Sequence, residues 1–182
     1  MLCPQGFFLT VSPETIQTIG KHACEHNKVF SMNLSAPFLC EFYKEPMMAA
    51  FPYIDILFSN ETVSEHSYQE AAKFSEVQGF GLTDIREIAL KAASLPKENK
   101  KRSRIVVFTQ GADNIILAKD GKVKEFPVVR LPEEKLIDTN GAGDAFVGGE
   151  CVCVCVYVCV CVCVCVCVYV CMCVCIYLVV FT

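Results

Sequence analysis

A chain of 182 residues can bury a sizeable single core, and its formal net charge of −4 leaves no basic footprint for nucleic acid. Fourteen cysteines would suggest a secreted disulfide scaffold, but eleven of them lie between Cys151 and Cys175. The preceding stretch holds only Cys3, Cys24 and Cys40, the usage of a reducing compartment, and the N-terminus has no charged segment followed by an apolar run and a cleavage site. The expectation is therefore cytosol or nucleus, with no membrane partner.

In chain order, Phe7 to Thr10 is a short apolar run that reads as the end of a buried strand. Ser12-Pro13-Glu14 predicts a helix start, with Ser12 as N-cap and proline at the first helical position, running to about His26. Val29 to Leu34 reads as a strand, Pro37 to Tyr43 as a short helix, and Tyr53 to Ser59 as a further strand. Helical patterns follow from about Gln69 to Gln78 and from Thr83 to Ser94. Arg104 to Thr109 is β-branched and apolar, which predicts a buried parallel strand. Asp120-Gly121, between Asn114 to Lys119 and Lys122 to Phe126, predicts a hairpin. Strands alternating with helices imply an α/β fold, a partial doubly wound, mostly parallel sheet with flanking helices, whose ligand sits at the C-terminal strand ends.

The tail differs in kind. From Cys151 to Tyr177 every odd position is Cys or Tyr, and every even one is Val apart from Met172 and Ile176. A translated TG dinucleotide repeat gives Cys-Val, and G-to-A changes alone convert its codons to Tyr, Met or Ile, so a repeat read through as protein is the simplest origin. Its 32 uncharged residues exceed the ~20 needed to span a bilayer. The period of two and the β-branched content nevertheless favour strand over helix. Alternate thiols on one strand face, without turns, cannot wrap four ligands around an ion.

The chemistry concentrates in D-T-N-G-A-G-D-A-F-V-G-G, from Asp138 to Gly149. Gly141, Ala142 and Gly143 stand where an extended segment gives way to a helical one, and Asp144 falls in the first helical turn. Free backbone N–H groups and the positive end of the helix dipole make such a turn an anion site, and a carboxylate beside it can take a proton from a hydroxyl. A plain glycine-rich helix start with an acidic residue is the alternative on spacing alone. There is no G-x-x-x-x-G-K-[ST], and Phe146 occupies the third-glycine position of a dinucleotide fingerprint.

D-T-N-G-A-G-D resembles the C-terminal signature of the ribokinase-like, phosphofructokinase-B family of sugar and nucleoside kinases. F-F-L-T-V-S-P-E (Phe7 to Glu14), N-L-S-A-P-F (Asn33 to Phe38) and D-A-F-V-G-G are similar to the members that phosphorylate adenosine to AMP. The resemblance covers residues 6–149 as a partial kinase domain, with residues 1–5 and 150–182 outside it. It implies ATP as co-substrate, Mg2+ as cofactor, adenosine as acceptor and a monomeric protein. It implies Asp144 as catalytic base, with Gly141, Ala142 and Gly143 as an anion hole for the transferring phosphoryl group. Asn140, Asn60, Thr109 and Gly111 are implied to bind substrate or nucleotide.

Asn60-Glu61-Thr62 resembles the family's N-x-x-E motif, whose glutamate organises Mg2+ and its waters. Val63 stands in that glutamate's place, and E-A-x-x-F resumes only at Glu70, after what reads as an insertion from Val63 to Gln69. Glu70 becomes the counterpart, acting on the metal through water, with Glu65 as a substitute. His22, His26 and His66 share no spacing with acids or cysteines that suggests a metal site and read as surface residues. The five basic residues from Lys97 to Arg104 read as a solvated connection. In the family, the regions flanking Phe7 to Gly149 supply a lid domain, most of the nucleoside pocket and the rest of the anion-hole helix. The resemblance therefore leaves two expectations open: a phosphotransferase whose present chain is inactive alone, and a non-catalytic fragment, either a wrongly drawn gene model or a truncated isoform, that binds nucleotide weakly at most.

Overall fold

The computed structural model describes residues 1–60, 70–128, 143 and 146–148. The chain divides into two compact units, Leu2–Pro127 and a second made of Met1 with Val128–Thr182. The first carries a five-stranded sheet in the order β1 (Ser31–Asn33), β2 (Ile56–Asn60), β3 (Ile105–Gln110), β4 (Asp113–Lys119), β5 (Lys122–Phe126). β1, β2 and β3 are parallel neighbours; β4 and β5 add an antiparallel edge. The helices are α1 (Pro13–Glu25), α2 (Pro37–Phe42), α3 (Lys44–Ala50), α4 (Glu70–Gln78) and α5 (Ile85–Ser94).

Local chemistry explains most boundaries. The Ser12 hydroxyl accepts from the Thr15 N–H at 3.4 Å and Pro13 opens α1, as expected. α1 stops at Asn27, whose φ of 53° is left-handed; Asn27 N donates to the Cys24 carbonyl and Lys28 N to that of Ala23, the paired closure that satisfies the last carbonyls of a helix. Asp84 caps α5 by accepting from Arg86 N at 2.7 Å. At the β4–β5 hairpin Asp120 and Gly121 both have positive φ, 52° and 71°, the mirror-image turn that matches strand twist.

Cross-strand register sorts the sheet into two faces. Met32, Leu57, Val106, Ala118 and Val123 form one row across all five strands. That row joins a single core with Ile16 and Ala23 of α1, Leu39 of α2, Met47 of α3, Phe74 of α4 and Ile88, Ala89 and Ala92 of α5. Phe51 stacks on Phe74 at 5.5 Å and Phe80 meets Phe74 edge-on at 5.7 Å. Each fully buried Leu, Ile, Met, Val or Phe among them contributes roughly 1.5–3 kcal/mol. The next row, Phe58, Val107 and Leu117, lies on the opposite face and is also buried, so the sheet is apolar on both sides. Because β1, β2 and β3 advance in one direction, right-handed crossovers put α2 to α5 on one common face.

Four expectations are corrected. Gly6–Thr10 is a 3-10 turn, not a strand end: Gly6 N is taken by the Asn33 side chain and Phe8 N by the Gln5 carbonyl, which curls the segment, and the strand-like pairing falls earlier, at Leu2 beside Phe30. The strand expected from Tyr53 begins at Ile56, because Phe51–Tyr53 closes another 3-10 turn. α3 was not anticipated; Pro46 sits in its first turn, where a missing N–H costs nothing. The basic stretch is not a solvated connection throughout, since Arg104 is buried and Lys97 half-buried. No described helix is long and apolar enough to cross a membrane, and the Cys-Val tail lies outside the described residues.

Candidate functional site

The C-terminal ends of β1, β2 and β3 are where an open parallel sheet offers unpaired backbone and loop residues to a ligand. Asn33 ends β1, Asn60 ends β2, and Asn60 is the register partner of Thr109 near the end of β3. The structure thus brings two predicted residues, Asn60 and Thr109, side by side. The Thr109 hydroxyl donates to the Ser59 carbonyl at 3.4 Å, tying the two ends together. Beyond Phe108 the β3–β4 register slips, leaving Asn114 and Ile115 opposite Thr109 alone. Such bulges bend a strand and re-aim its residues beside functional sites. Gly111 follows with φ 59° and open space where a Cβ would stand, so backbone conformation rather than crowding calls for glycine there.

Two features at this end fall in or beside segments quoted for the resemblance, Phe7 to Glu14 and Asn33 to Phe38, to which the sequence assigned no role. Gly6 N donates to Asn33 Oδ1 at 2.6 Å, and a Cβ on Gly6 would lie 2.1 Å from the Asn33 carbonyl oxygen, so only glycine lets the 3-10 turn press on the end of β1. That turn holds Phe7 edge-on to Phe38 of α2, centroids 6.0 Å apart, with 49% and 39% of the two residues exposed. Two exposed rings in edge contact offer a small apolar surface to solvent. Ser35, just after β1, has φ 67°, a strained conformation for a residue that is neither Gly nor Asn. The signals were present: glycine before two phenylalanines, and a serine between Leu34 and Ala36 ahead of a proline.

The opposite ends of the same strands hold a buried ionic network. Asp55, ahead of β2, accepts from Phe30 N at 2.9 Å and from Lys97 Nζ at 2.5 Å, with Arg102 Nη1 at 3.6 Å. Arg104, ahead of β3, sends all five of its N–H donors to carbonyls: Nε to Ile54, Nη1 to Ala92 and Leu95, Nη2 to Phe51 and Pro96, at 2.8–3.1 Å. Its guanidinium also lies 4.5 Å over the Phe51 ring. Burial pushes its pKa down to about 10 while the Asp55 charge opposes that, so the group stays cationic at neutral pH. An acid inside the apolar run Y-I-D-I-L-F was the sequence signal, because a buried carboxylate demands a cation. This network braces strand starts.

On the sheet edge, Glu125 accepts from Arg86 Nε at 2.6 Å and from Asn114 Nδ2 at 3.2 Å. The Arg86 hydrogen bond, then that of Asn114, holds the Glu125 carboxyl below its ordinary value.

Of the remaining predicted residues, Glu70 is the first residue of α4. Gly143 and residues 146–148, in the second unit, are helical, in keeping with a helix after the glycine-rich turn. Asn140, Gly141, Ala142, Asp144 and Glu65 lie outside the described residues. His22 and His26 are exposed, as expected, and His66 lies outside the described residues.

The chain is 56% identical over 144 residues to adenosine kinase 1 of Arabidopsis thaliana and 51% identical over 144 residues to adenosine kinase of Schizosaccharomyces pombe. In each case the match covers 79% of this chain and 40% of the relative, so the chain spans about two fifths of the length of the curated relatives it matches. The crystal structure of Anopheles gambiae adenosine kinase in complex with P1,P4-di(adenosine-5) tetraphosphate superimposes with a TM-score of 0.76 at 47% identity, over 82% of this chain and 42% of that one. Adenosine kinase from Schistosoma mansoni in complex with 2-fluoroadenosine gives 0.73 at 35%, over 82% and 42%. Residues 1–153 match the pfkB family of carbohydrate kinases, and the chain belongs to that family.

Proposed function

We propose that this chain carries part of the site at which a pfkB-type kinase transfers the γ-phosphoryl group of ATP to the 5'-hydroxyl of adenosine, giving AMP and ADP. The observation that carries the reading is the row of strand ends, in which Asn60 and Thr109 are register partners beside the Gly111 turn, in a chain 56% identical to an adenosine kinase. Asp144 accepts the hydroxyl proton as the new O–P bond forms and the bond to the bridging oxygen of ADP breaks. Backbone N–H groups of Gly141, Ala142 and Gly143 donate to the charge on the moving phosphoryl group, and Asn140 and Asn60 orient substrate. Thr109 and Gly111 stand on the nucleotide side. The exposed Phe7–Phe38 pair supplies an apolar face at the β1 end, suited to a flat base.

Mg2+ prefers oxygen donors, takes one or two carboxylates and completes its shell with water and substrate phosphates, a donor set that Glu70 at the start of α4 fits. When bound, the ion neutralises phosphate charge. The sparse cysteines ahead of the tail, Cys3, Cys24 and Cys40, support a cytosolic or nuclear setting, and a monomer is proposed with it.

The test replaces the corresponding segment of the Arabidopsis relative with residues 6–149 and measures AMP formation from adenosine, ATP and Mg2+. The chimera is expected to turn over, and Asp144→Asn within it to lower kcat by ~10²–10⁴ with ATP binding kept. Turnover of the variant within tenfold of the chimera rejects the base; phosphorylation of a sugar in preference to adenosine rejects the substrate.

A further inference from the structure

We infer that His22 and His26 form a binding site for one divalent transition-metal ion, with Zn2+ as the probe, on the exposed last turn of α1. The site is independent of the phosphoryl-transfer reading and lies where α1 leads into the start of β1, away from the strand ends. The two histidines are four residues apart, so a 3.6-residue helix stacks them on one face, the spacing by which helices present paired imidazoles to zinc. Their rings lie face to face with centroids 4.1 Å apart and planes 30° from parallel. Imidazole lone pairs lie in the ring plane, so the stacked rings must swing out of parallel before two nitrogens, roughly 3.3 Å apart on one tetrahedral zinc, can share the ion; both side chains are exposed and have room to do so.

The hydrogen bonding prepares one of the donors. His26 Nδ1 lies 2.9 Å from the His22 carbonyl oxygen. A carbonyl oxygen only accepts, so Nδ1 carries the proton, and in the neutral ring Nε2 holds the lone pair a metal needs. Ligating histidines are oriented in this way, by an N–H given to a carbonyl from the ring nitrogen that does not bind the ion. The negative end of the α1 dipole and the exposed Glu25 carboxylate favour a cation at this turn. Arg102 opposes it, since Nη2 donates to the Asn27 carbonyl and to Asn27 Oδ1 beside the same helix end. No group of three or more His, Cys, Asp or Glu gathers among the described residues, so water completes the coordination, and this is a binding site rather than a hydrolytic centre.

The experiment uses the full chain with 15N-labelled histidine and zinc supplied from a chelator buffer, so that the fourteen cysteines cannot alter the free Zn2+ concentration. Long-range 1H–15N spectra follow the rings of His22 and His26 separately. Both are expected to shift with one common midpoint, and in His26→Gln the midpoint for His22 should rise about tenfold or more. His22→Gln, read on His26, repeats the test from the other side; both residues are exposed, and the amide spectrum confirms that each variant is folded. Unequal midpoints in the parent, an unchanged His22 midpoint in His26→Gln, or no ring shift below about 1 mM free Zn2+ overturns the site.

Discussion

Where β2 and β3 begin, Asp55 and Arg104 are buried and every donor of the guanidinium meets a carbonyl; where the same strands end, Thr109 is half-buried, the register slips, and Gly111 turns with positive φ. The first end spends charge on position: three strands and the α5–β3 connection are tied to two side chains. The second leaves backbone and small polar groups at the surface, where a ligand can use them. A parallel sheet separates the two tasks by geometry, since every loop that follows a strand emerges on the same side. Stability and binding can then be altered independently, and substitutions at each end measure how far that holds.

Arg104→Met should have the largest effect. It takes the guanidinium donors from five carbonyls, of which those of Phe51 and Ala92 keep a backbone donor in Ile54 N and Leu95 N, and leaves Asp55 without one opposing charge, so a loss of about 3–5 kcal/mol in denaturant unfolding is expected, with no change in the strand-end residues. A loss below 1 kcal/mol would mean that the network is dispensable and the contrast between the ends is false. Asp55→Asn follows, at about 2–4 kcal/mol, because Lys97 is left half-buried without its carboxylate while the bond from Phe30 N can survive. The combination with Lys97→Met should recover part of that loss; full additivity of the two changes would show that the pair is not coupled.

At the strand-end side, Gly111→Ala should cost only about 1 kcal/mol, from its positive φ and not from contact. In the chimera it should weaken ATP binding more than it weakens the fold, and an effect on stability alone would remove Gly111 from the nucleotide side. The smallest effect belongs to Glu125. Its carboxyl is held below the ordinary value of 4.5, so its contribution is full above that pH and fades as pH falls through the lower folded-state value. Arg86→Gln should flatten this acid-side slope slightly at low salt and not at high salt, because the pair is exposed and screened. An undiminished slope would assign it to other carboxylates.

Several elements could be read from neighbours in the chain alone. The α1 cap at Ser12-Pro13, the Asp120-Gly121 hairpin and the β3 run from Ile105 are each decided by residues within one turn or one strand, so their chemistry is local. The alternation of strands and helices is enough to predict a strand-end location for a ligand, and the glycine-rich stretch around Gly141 carries its own phosphate-binding logic as a sequence. The residues from Phe7 to Thr10 are apolar enough for a strand, but whether they extend or curl depended on Asn33, 27 residues away from the Gly6 amide it captures. The cations from Lys97 to Arg104 are indistinguishable from a solvated loop until the fold places Asp55, 42 residues from Lys97, among them. Burial and pairing are properties of the assembled core: a sequence states which groups carry charge, and only the packed sheet determines which of them lose water and must find a partner.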